Sequence, residues 1–127
     1  MNTITTKLIT AGILFLFTLI SGVIVSHSGR PLSVGLVTIH KLIAVATVVL
    51  IGMAVNQLHK TGDGKAFIEL SVMVITGVLF LALIATGALL TRDMQLPEAI
   101  LKVHQVVPLL TLVSSTITVY LSARGNP

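Results

Sequence analysis

The sequence predicts an all-α integral membrane protein, a four-helix up-down-up-down bundle made of two repeated helical hairpins. Three observations lead there. Hydrophobic residues make up 54% of the chain and charged residues only 9%, with a mean hydropathy of +1.05, which leaves too little polar surface to coat a water-soluble globule. The apolar residues fall into four stretches of the length that a hydrocarbon core demands, about 20 residues each. The third observation is that the second half of the chain repeats the first.

The four spans are expected near residues 6–26, 33–58, 67–91 and 98–122. The first apolar run, Leu8 to Val25, is longer than the apolar region of a signal peptide and has no small-residue cleavage site after it, so it is expected to stay as a helix. Turn chemistry separates the spans: Ser28-Gly29-Arg30-Pro31, Lys60-Thr61-Gly62-Asp63-Gly64-Lys65 and Arg92-Asp93-Met94-Gln95-Leu96-Pro97. Connections this short make neighbouring helices antiparallel. The chain reads as one transmembrane domain over residues 1–127, with repeats at about 6–60 and 67–123.

Sliding the chain by 65 positions lays Gly12-Ile13-Leu14-Phe15-Leu16 over Gly77-Val78-Leu79-Phe80-Leu81, and Ser21-Gly22 over Thr86-Gly87. With small gaps, Pro31 then meets Pro97, and Thr38-Ile39-His40-Lys41 meets Lys102-Val103-His104-Gln105. Apolar matches arise by chance in such sequences, so the weight rests on the Gly, Pro and His matches. Each half reads as a helix with glycine near its end, a turn, a proline opening the next helix, and a histidine inside that helix.

An ionisable residue within a span is costly and marks function by default. His40 and His104 lie at matched places on two parallel helices, each roughly 10 to 14 Å along the axis from its opening proline. In a square bundle those helices are diagonal, about 11 to 14 Å apart. Two inward imidazoles across such a gap suit one haem iron, because the porphyrin supplies four equatorial nitrogens and needs two axial ligands. Zinc wants three or four protein ligands, and no thiolate or carboxylate lies at that depth. The chain has no cysteine, which excludes disulfides, thiolate metal sites and the covalent attachment of c-type haem.

Other residues fit the same expectation. Gly22 and Gly87, level with the histidines, would let a flat macrocycle approach the backbone, or serve as close helix contacts. Pro108, four residues after His104, frees the His104 carbonyl and is expected to bend the fourth helix. Arg30, Lys41, Arg92 and Lys102 share the histidine end, where haem propionates would want cations. Arg30 and Arg92 are the favoured pair, with membrane anchoring as the competing role. His27 is a turn residue matched to Arg92, suited to solvent, to a propionate or to a substrate. His59 lies about 28 Å along its helix from His40, and its counterpart is near Ala123, so a second haem has no ligands.

On the motifs Ile39-His40-Lys41 and Val103-His104-Gln105 and the four-helix plan, the chain resembles the small membrane b-type cytochromes of the cytochrome b561 type. The resemblance implies one bis-histidine haem b and one-electron transfer, to or from a quinone or a partner protein. As an enzyme it would be an oxidoreductase acting on quinol or a small oxidant. Lacking the second histidine pair of two-haem members, it would serve electrons on one surface. The competing expectation is a haem-free four-helix scaffold or accessory subunit whose histidines hydrogen-bond between helices. A transporter would want acidic or polar groups at the midplane, whereas Asp63, Glu69, Asp93 and Glu98 are expected at edges. The net charge of +4 comes from Lys and Arg scattered singly over loops and helix ends, a pattern that fits the lipid bilayer and not nucleic acid. Counting cations in loops and tails places both termini in the cytoplasm, with a bacterial-type inner membrane as the expected location.

Overall fold

A computed structural model of the chain describes residues 2–61, 67–92 and 95–124. Four helices follow in order: α1 (Thr3–His27), α2 (Val34–Thr61), α3 (Phe67–Leu90) and α4 (Glu98–Arg124). Each is long and apolar enough to cross a membrane, as the four predicted spans require. The protein is all-helical and membrane-spanning in character. The turn residues Gly62, Asp63, Gly64, Lys65, Asp93 and Met94 lie outside the described residues.

Local chemistry sets the helix ends. Asn2 caps α1, its side chain accepting from the Thr5 backbone N–H at 2.9 Å. At the other end, the Ser28 N–H returns to the Val25 carbonyl at 3.3 Å. Gly29 follows at φ 74°, a left-handed conformation that glycine adopts without strain. The Arg30–Pro31 peptide that leads toward α2 is cis. Pro97 immediately precedes α4 and its carbonyl accepts from Ile100 N, while α4 runs through Pro108 without a break. Glu98 sits in the first turn of α4, where the helix dipole favours an acid, and pairs with Lys102 at 3.3 Å.

The chain forms two compact units, Met1–Gln57 and Leu58–Pro127. In the first, α1 and α2 run antiparallel: Lys7 Nζ donates to Gln57 Oε1 at 2.9 Å near one end, and Ser21 meets His40 near the other. In the second, Thr76 meets Thr118 and Thr86 meets His104, so α3 and α4 are antiparallel too. Large apolar side chains such as Ile13, Phe17, Val78, Leu81, Leu109 and Val113 are exposed. That is the inside-out surface a helix shows to lipid.

The buried positions repeat with the sequence. Ala11 and Phe15 of α1 correspond to Thr76 and Phe80 of α3, 65 residues on, and all four are buried. Thr47 and Ala54 of α2 correspond to Thr111 and Thr118 of α4, 64 residues on, and these are buried as well. The seven-residue steps from His40 to Thr47 to Ala54, and from His104 to Thr111 to Thr118, keep each histidine on the buried stripe of its helix. Threonines survive in this apolar setting by back-bonding to the carbonyl four residues earlier. Thr47 reaches Ile43 O at 2.8 Å and Thr111 reaches Val107 O at 2.8 Å.

Candidate functional site

His40 and His104 are each the seventh residue of their helix, half-buried, about 9 Å along the axis from its first residue. Each imidazole crosses to the preceding helix of its own hairpin. His40 Nδ1 lies 2.9 Å from Ser21 Oγ of α1, and His104 Nδ1 lies 2.7 Å from Thr86 Oγ1 of α3. Both hydroxyls also have a carbonyl of their own helix in reach: Ser21 Oγ donates to Thr18 O at 3.0 Å and Thr86 Oγ1 to Ala82 O at 2.7 Å. A hydroxyl owns one proton. With that proton on the carbonyl, the hydroxyl oxygen accepts Nδ1–H, and the Nε2 of each ring carries the lone pair.

The residue after each hydroxyl is a glycine, and the imidazole lies against it. A Cβ built on Gly22 would stand 3.1 Å from His40 Cε1, and one on Gly87 would stand 3.1 Å from His104 Cε1. A side chain at either position would press on the ring. The two glycines therefore seat the imidazoles of their own hairpins.

Comparison with protein-family models, with curated proteins and with solved structures finds no match.

What the site can do is therefore set by the hairpins themselves. Among the described residues, no group of three or more His, Cys, Asp or Glu side chains gathers to hold a metal ion. Arg30 and Arg92 are both exposed at the histidine end of their hairpins, Arg30 in the turn after α1 and Arg92 just past α3. Lys41 is exposed beside His40, and Lys102 is engaged with Glu98. His27 is exposed, with Nδ1 at 2.9 Å from Val23 O of its own helix. His59 falls in the last turn of α2, far along that helix from His40.

Sequence reasoning matched Ser21-Gly22 with Thr86-Gly87 but drew only the glycines into the site. The hydroxyls are the residues it passed over. Their signal was legible as a hydroxyl-glycine pair at the same place in both repeats. Glu69 lies at the edge of its span as expected, in the first turn of α3, and is buried there.

Proposed function

We propose that the protein is a membrane haem b electron carrier in which His40 and His104 are the two axial ligands of one haem. The observation that carries this reading is the twofold Ser/Thr–His–Gly arrangement. Each hairpin holds its imidazole through Nδ1, at 2.9 Å and 2.7 Å, and so turns Nε2 into the donor atom. Metal-ligating histidines characteristically give their other N–H to an oxygen, which fixes ring orientation and tautomer. Duplication of the whole arrangement is what an ion with two equivalent axial positions would select.

When bound, such a haem supplies a one-electron couple within the low-dielectric interior. The chain's own residues do the rest. Ser21 and Thr86 hold the tautomer and raise the basicity of the rings, which favours the ferric state. Gly22 and Gly87 keep the space beside the rings that a side chain would take, and would leave backbone for a flat macrocycle to approach. Arg30 and Arg92 would pair with propionates at the histidine end and favour the reduced state by disfavouring ferric charge. In this reading the electrons pass to or from a quinone or a partner protein at that end, as in the cytochrome b561 type. An oxidoreductase acting on quinol or a small oxidant is the enzymatic form of the same proposal. Both termini are proposed to be cytoplasmic, in a membrane of bacterial inner-membrane type.

A haem-free scaffold is the second reading. It is favoured by the same hydrogen bonds, because a hydroxyl–imidazole contact joins α1 to α2 and α3 to α4 whatever Nε2 does. Absorbance of detergent-purified protein separates the two. A Soret peak with sharp reduced bands is expected for the haem protein, and its absence after expression with ample haem supports the scaffold.

A further inference from the structure

The two hairpins share a plan but differ in what lines their buried seams. Where the first has Ile4, Ala11, Leu50, Ile51 and Ala54, the second has Glu69, Thr76, Ser114, Ser115 and Thr118 at the corresponding places. Five apolar positions have become polar, all toward the end of the hairpin away from His104. Lipid gives no reason to retain such a set, because each added polar group must find a partner inside the protein.

The hydroxyls form a connected group. Thr76 Oγ1 meets both Ser114 Oγ and Thr118 Oγ1, the latter at 2.9 Å. Thr76 also has Val72 O at 2.8 Å, and Thr118 has Ser114 O at 2.9 Å. The Thr76 and Thr118 protons thus each have two acceptors, a backbone carbonyl or a facing hydroxyl, so these hydroxyls can also turn toward water. On α4, Thr111, Ser114, Ser115 and Thr118 fall within an arc of about 100°.

One member exceeds what helix-to-helix adhesion needs. Ser115 is 7% exposed, and its Oγ has no hydrogen-bond partner among the described residues. A hydroxyl so deeply buried is ordinarily satisfied by an internal water when other polar groups are near enough to hold that water. Glu69 is 8% exposed, at the start of the same seam, two helical turns or about 10 Å from Thr76. Of the two acidic residues described, the other, Glu98, is exposed.

We infer that the second hairpin carries a hydrated path that opens at Glu69 and runs along Thr76, Thr118, Ser114 and Ser115 as far as Thr111, near mid-membrane. The ligand is water. Water enters from the aqueous phase on the Glu69 side and moves inward along the hydroxyls. The first hairpin matches Thr111 with Thr47 but is apolar at the other five places, and the path is inferred for the second hairpin alone. The inference stands apart from the haem proposal, since neither histidine is part of it.

The chain's lack of cysteine permits a clean test. Single variants S115C and S114C, with I51C and L50C as their counterparts in the first repeat, are made in the full-length protein, reconstituted in liposomes and treated with a small charged thiosulfonate. Thiol modification needs the thiolate and therefore water, so S115C and S114C should react about tenfold or more faster than I51C and L50C. Adding E69L to S115C should slow its modification. Equal inertness of all four thiols would overturn the path. Equal reactivity of all four would overturn its restriction to the second hairpin, and an unchanged rate in the E69L background would remove Glu69 as its mouth.

Discussion

His104 Nδ1 lies 2.7 Å from Thr86 Oγ1, and the ring it belongs to lies against Gly87, the next residue along α3. The same three-way contact recurs between His40, Ser21 and Gly22 in the other hairpin. A histidine, a hydroxyl and a missing Cβ thus act as one unit, made twice. Its parts can be disturbed separately.

Gly22→Ala and Gly87→Ala place a methyl 3.1 Å from the facing Cε1, so the ring must give by a few tenths of an ångström. Each variant is expected to keep the fold and lose part of the haem, while Gly87→Leu is expected to lose nearly all of it. The haem-to-protein ratio after purification checks this. Full occupancy in Gly87→Leu would show that the glycine has no bearing on the site.

Ser21→Ala and Thr86→Val remove the acceptor for Nδ1–H and leave the ligand atom in place. Losing a hydrogen bond worth about 0.6 to 1.4 kcal/mol should raise the one-electron midpoint potential by about 25 to 60 mV, because the ring becomes a poorer donor to ferric iron. Spectroelectrochemical titration reads the shift. A fall in potential in both variants contradicts the tautomer assigned to the rings.

Thr76→Ala cuts the hydroxyl contacts from α3 to Ser114 and Thr118, while Thr118 keeps its bond to Ser114 O. The cost should be modest, about 0.6 kcal/mol and under about 1.7 kcal/mol. The alanine counterpart already stands at Ala11 of the first hairpin. Denaturation in mixed detergent measures the loss, and a cost of several kcal/mol would mean that the trio holds the hairpin together.

Lys102→Gln breaks an ion pair whose side chains are 69% and 77% exposed. The change in stability should stay within about 0.5 kcal/mol. Haem content should be unchanged as well, since the pair sits on the outer surface of α4. A marked loss of haem would place Lys102 among the cofactor's partners.

The four helices were legible in the sequence because lipid imposes a length and a polarity that few other structures share. α3 and α4 begin at Phe67 and Glu98 as their apolar runs suggest. α1 and α4 reach slightly further, with Asn2 capping α1 and α4 continuing to Arg124. The histidines were legible because ionisable residues in apolar runs stand out, and the repeat made two of them equivalent. Ser21 and Thr86 were less so: a hydroxyl in a membrane helix is cheap, back-bonding to its own carbonyls, and only the partner across the hairpin gives it meaning. Glu69 falls at the edge of its span as the sequence suggests, but its burial was not legible, because distance along a helix says nothing of how far a side chain is covered. The divergence of Thr76 and Thr118 from Ala11 and Ala54 was present in the alignment, but buried positions cannot be ranked until the stripe facing the neighbouring helix is known.

The most direct measurement is the optical spectrum of the purified protein alongside His40→Ala and His104→Ala. The wild type should show a Soret band and sharp reduced bands of six-coordinate haem b, and each single replacement should abolish or reshape them. A wild-type protein without haem absorbance, or spectra that neither replacement alters, would contradict the assignment of these imidazoles as ligands to one iron.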